Sequence, residues 1–84
     1  MTDYEVTENK EILREVFAGL LADLNREIES RKISDVRHPL CVFQRKINRI
    51  WAEILTEKYS TMEDMQKIRG IFEFAQDYVK DLSR

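Results

Sequence analysis

His38 and Cys41 are the only histidine and the only cysteine of the chain, and they stand three positions apart. An imidazole near a thiol is the starting material for a nucleophilic pair or a zinc site. Both need further partners at suitable spacing, and no other His or Cys exists here to supply them. The plain reading makes His38 a turn or capping residue in front of Pro39. Cys41 is then a small filler just inside a helix; the sharper reading is a reactive thiol beside basic residues. No catalytic set, metal site or cofactor site is expected.

Two groups of charges remain. Glu73, Asp77 and Asp81 are spaced four apart and make an acidic ridge on one helix face. Such a ridge suits a weakly held cation or a basic partner, but it lacks the ligand geometry of a calcium loop. The plain reading is a solvated ridge. The second group is basic. Residues 1–30 carry eight acids and three bases, residues 31–49 carry six bases and one acid, and residues 50–84 carry seven acids and five bases. The middle of the chain is thus a basic island in an acidic protein of net charge −2. Arg37, Arg45, Lys46 and Arg49 are its candidate contacts for a phosphate or an acidic surface. The alternative is a solvated face turned towards the acidic first helix.

The elements that must position these groups are helices. With 84 residues the chain has room for one small domain, spanning 1–84. Two Gly and one Pro are too few for the turns of a β-rich domain, and 43% hydrophobic residues are too many for a disordered tail. A lone cysteine excludes a disulfide scaffold and fits a reducing, cytoplasmic setting. No run approaches the ~18 apolar residues that would span a bilayer.

Apolar spacing predicts three helices, over about 8–29, 39–58 and 61–82, with 1–6 flexible. Ile12, Leu13, Val16, Phe17, Leu20, Leu21, Leu24 and Ile28 recur at threes and fours along the first. Thr7 is its expected cap. Pro39 opens the second helix, where its missing N–H costs nothing. Leu40, Phe43, Ile47, Ile50 and Ile54 follow, flanked by Trp51 and Leu55. Ser60 with Glu63, or Thr61 with Asp64, forms a capping box for the third helix. Its stripe is Met65, Ile68, Phe72, Ala75, Val79 and Leu82, with a second row of Ile71, Phe74 and Tyr78. The expected fold is all-α: an up-down-up three-helix bundle, with completion by a homodimer through the first or third helix as a further option.

On a wheel the apolar side chains of the third helix cover roughly 180°, wider than the stripe one core needs. Ile71, Phe74 and Tyr78 are therefore expected either in the core or at an interface with another chain. Three functions fit these features. The first is a small non-enzymatic protein-binding module, an adaptor, inhibitor or accessory regulator that engages a larger protein. It would use Ile71, Phe74 and Tyr78 together with Arg37, Arg45, Lys46 and Arg49. The second is weak nucleic-acid binding by segment 31–49, disfavoured by the acids of the third helix. The third is catalytic. The three-helix architecture is similar to the small all-helical chorismate mutases, a resemblance that implies Arg and Lys side chains gripping a dicarboxylate. Arg14, Arg26, Lys32 and Gln76 fall at suggestive places for it. The family's Arg-Glu pair at the start of the second helix is replaced here by Pro39-Leu40-Cys41.

Overall fold

In the computed structural model, which describes residues 2–82, helices α1 (Thr2–Ser30), α2 (Pro39–Glu53) and α3 (Met62–Leu82) form a three-helix bundle. No strand occurs among the described residues. Cross-helix contacts set the directions. Lys10 Nζ donates to the Thr56 carbonyl at 2.8 Å, and Gln44 Nε2 donates to Asn25 Oδ1 at 3.0 Å, so α2 runs against α1. Arg69 Nη2 donates to Asn9 Oδ1 at 3.2 Å, and Arg31 Nη2 to the Leu82 carbonyl at 2.8 Å, so α3 runs with α1. The topology is up-down-up.

α1 supplies six of the thirteen buried apolar residues: Val6, Leu13, Phe17, Leu20, Leu21 and Leu24. Leu40 and Ile47 come from α2, Ile54 from the turn after it, and Met65, Ile68, Ala75 and Val79 from α3. Phe17 is fully buried and meets Phe72 edge-on, ring centroids 5.5 Å apart. α1 packs on both other helices. Among the described residues no Cα of α2 comes within 8 Å of a Cα of α3. Helices in full contact approach more closely than that along their shared seam. α2 and α3 meet instead through side chains, chiefly Phe43 and Tyr78, whose ring centroids are 4.8 Å apart.

Two boundaries differ from the reading of the sequence. α1 starts at Thr2 and not near residue 8, so residues 2–6 are helical; Met1 lies outside the described residues. Val6 is the reason: seven residues before Leu13, it extends the buried stripe by two turns, and Thr7 is interior to the helix. α2 ends at Glu53, short of residue 58. The Thr56 hydroxyl takes the Glu53 carbonyl at 2.6 Å, a local bond that competes with the helical ladder. Of the two caps expected for α3, the structure uses Thr61 with Asp64. The Asp64 N–H donates to Thr61 Oγ1 at 3.1 Å, and Asp64 Oδ2 accepts the N–H groups of Thr61 and Ser60 at 3.2 and 3.0 Å. Within α1, Ile12 is half-exposed while Leu21 is buried, so only one expected edge of its stripe reaches the core.

The end of α1 is a Schellman motif. Ile33 N–H donates to the Ile28 carbonyl at 3.1 Å and Lys32 N–H to the Glu29 carbonyl at 3.0 Å. Ile28 and Ile33 both pack against the core. Lys32 takes the left-handed position, φ 54°, where glycine is the unstrained residue. The substitution Lys32→Gly is therefore expected to stabilise the fold by about 0.5–1 kcal/mol, seen as a higher urea midpoint at unchanged slope.

Asp64 generates a pH prediction. The Ser60 N–H first, then the Thr61 N–H and hydroxyl, hold its carboxyl below the usual carboxylate range. A depressed folded value means that its contribution is complete above the unfolded carboxylate range and is lost as pH falls through the folded value. Wild type should thus exceed Asp64→Asn in stability at pH 7. The gap should close under acid, and paired denaturant titrations at pH 7 and pH 3 read it.

Candidate functional site

The side chains singled out from the sequence fall into one cluster and several isolated positions. Phe74 stands on α3 with 69% of its surface exposed, well outside the core. One turn on, half-buried Tyr78 leans on Phe43 of α2. Around them lies an open cleft of about 410 Å³ between α2 and α3, lined by Arg37, Pro39, Val42, Phe43, Lys46, Phe74 and Tyr78. The separation of α2 from α3 makes it: the backbones stand apart, and the Phe43–Tyr78 pair forms its floor. The apolar row of α3 and the basic island of α2, far apart in sequence, thus share one surface.

The remaining basic residues continue that surface. Arg45, Lys46 and Arg49, with Val42, line an adjoining shallow depression on α2. Arg45 is held in place, since its Nη1 donates to the Val36 carbonyl at 2.9 Å. No acid lines either hollow, and among the described residues no ion pair engages Arg37, Lys46 or Arg49. Ile71 is 40% exposed but does not line the cleft, so the apolar trio is divided.

The other candidates take structural places. His38 caps α2: the Leu40 N–H donates to its Nδ1 at 3.1 Å. Cys41 is a half-buried free thiol. Glu73, Asp77 and Asp81 are exposed along α3, and no group of three or more His, Cys, Asp or Glu among the described residues is placed to hold a metal ion. The four residues that suggested a dicarboxylate grip do not converge. Arg14 lies over the Trp51 ring at 4.2 Å, and Arg26 pairs with Asp23 at 3.1 Å in solvent. Lys32 is exposed at the end of α1, and Gln76 lines a separate groove between α1 and α3.

Sequence reasoning missed the Arg14–Trp51 contact. Trp51 Nε1 donates to the Arg14 carbonyl at 3.1 Å, and the guanidinium covers the indole face. The Arg14 Nε is buried there with no hydrogen-bond partner. Gly19, inside α1, has open space around it. A Cβ there would meet nothing within 4 Å, so no backbone approaches it within the chain.

A family model described as bacterial epsilon antitoxin matches residues 2–82. No curated protein and no solved structure matches the chain.

If Phe74 is surface and Phe43 is structural, charge separates them. Phe74→Asp should keep full helicity and shift unfolding by no more than about 0.5 kcal/mol. Phe43→Asp, which removes the ring packed on Tyr78 and against the core, should cost about 2 kcal/mol or more. Circular dichroism with urea titration of both variants is the check.

Proposed function

The chain belongs to the bacterial epsilon antitoxin family, and on that premise we propose that it is a non-enzymatic inhibitor in the cytoplasm that acts by binding a partner toxin, of the zeta type. One observation supports the site of binding: Phe74, exposed by 69%, shares a cleft with Arg37 and Lys46. An exposed aromatic ringed by unpaired cations is the composition of an interface centre, where aromatic and Arg side chains carry most of the energy. It is also a costly surface to leave in water unless something covers it. Inhibition needs no chemistry from the antitoxin. A bundle of this size seated on the toxin is enough to block access or hold an inactive arrangement.

The family supports a protein partner over nucleic acid for the basic island. No helix among the described residues is long and apolar enough to cross a membrane. A homodimer would have a different apolar face available, the α1 stripe of half-exposed Ile12 and Val16 beside unobstructed Gly19.

The test is the affinity of the purified full chain for its toxin. Phe74→Asp should raise Kd by about 30-fold or more, as expected for a hot-spot residue, and should relieve inhibition in a toxin activity assay. Arg45→Glu combined with Arg49→Glu should weaken binding less and mainly at low salt. Wild-type affinity in the Phe74→Asp variant would place the toxin on another face.

A further inference from the structure

We propose that the free chain binds a nucleoside diphosphate across two adjoining hollows of α2, its base on Phe74 and its phosphates on the outer face of the helix. The inference goes beyond the toxin reading and does not rest on it. It starts from how the hollows join. Val42 and Lys46 line both the cleft of about 410 Å³ and the shallower depression of about 240 Å³ beside it. The first hollow is rich in aromatic rings and the second in cations. A single ligand laid across Val42 reaches both, and Lys46 serves either half.

The aromatic half offers a stacking surface. Phe43 and Tyr78 are already paired with each other, whereas Phe74 is 69% exposed and pairs with no other ring among the described residues. It is the ring left to take a flat partner, and a nucleobase presents such a face. The cationic half offers anion contacts. Val42, Arg45, Lys46 and Arg49 lie within two turns of α2 at spacings that share one face. Arg45 and Arg49 are four apart and repel each other, and among the described residues no ion pair engages Arg45, Lys46 or Arg49. An anion between them relieves that repulsion, and the guanidinium fork matches phosphate oxygens. Arg45 is held beforehand, because its Nη1 donates to the Val36 carbonyl at 2.9 Å. Less freedom is then lost on binding.

Charge also fixes the ligand's direction and length. No acid lines either hollow, but Glu73 and Asp77 are exposed on α3 next to Phe74 and Tyr78 in sequence. Phosphates are therefore repelled from the α3 side and lie along α2, while the uncharged base takes the α3 side. From Val42 to Arg49 the strip covers about 10 Å. One turn beyond Arg49 the helix ends at an acid, Glu53. A nucleic-acid strand needs cations that continue along its backbone. Three cations closed off by an acid suit the short phosphate chain of a free nucleotide.

The experiment is calorimetric titration of the purified full chain, without toxin and at low salt, with ADP, pyrophosphate and a short oligoadenylate. ADP should bind with a Kd below about 1 mM. Phe74→Ala should weaken ADP about tenfold through the lost stacking and leave pyrophosphate unchanged. Arg45→Gln combined with Arg49→Gln should weaken both ligands about tenfold or more, with a difference that shrinks as salt is added. Circular dichroism checks that the variants keep their helix content. Pyrophosphate binding as tightly as ADP, or ADP binding that ignores Phe74→Ala, overturns the proposal, since the base is then not held. Absence of ADP binding at millimolar concentration overturns it as well. Oligoadenylate binding more tightly than ADP overturns it in favour of a strand.

Discussion

Burial of one stripe along α1 is the constraint on which the other helices depend. α2 and α3 do not bring their backbones together, so each is held by the face it turns towards α1. The stripe runs from Val6 to Leu24 and includes the fully buried Phe17 and Leu24. At roughly 1.5–3 kcal/mol for each large apolar side chain removed from water, it outweighs the surface ion pairs by a wide margin. Those ion pairs are solvent-exposed, as with Arg26 and Asp23. An 84-residue chain has little surplus stability, and that explains why α1 spends 29 residues on the task.

The same constraint shapes the proposed binding surface. A bundle whose three helices all touched would close over Phe43 and Tyr78. Here the third contact is left to two rings, and Phe74 stands beyond them in water. Pro39 and the His38 cap start α2 close to Arg37, so the basic residues arrive at the rim of that opening. The arrangement joins apolar area to positive charge on a protein whose net charge is −2. On the proposed reading, a basic face on a chain of net charge −2 favours an acidic partner at that face over the rest of the surface.

Much of this was legible in the residues. The spacing of Met65, Ile68, Ala75 and Val79 marks α3, and Phe74 falls at the rim of the wheel, where the structure leaves it exposed. Legibility failed where a local signal and a tertiary one disagreed. Thr7 looks like a cap until Val6 is known to reach the core, and Ile54 and Leu55 continue a helical spacing through a segment that Thr56 unwinds. Lys32 gave no warning of a left-handed position, because glycine usually occupies it. The sequence suggested one contact that joins Arg37 and Lys46 to Phe74 and Tyr78, but not the cleft in which they meet. It depends on how far apart two helices stand, and periodicity within one helix carries no information on that.

The contact between Arg14 and Trp51 has an optical consequence. Trp51 is the chain's one indole, and it is stacked and hydrogen-bonded against α1. Its emission therefore records the docking of α2 on α1. Phe74 lines a different cleft from Trp51, so a ligand arriving there leaves the indole's immediate surroundings untouched. Fluorescence and ellipticity then become separate channels for this molecule. One follows a single helix–helix contact, and the other follows helix content across all three helices. Their coincidence or divergence on heating distinguishes a bundle that melts as a unit from one that sheds α3 first.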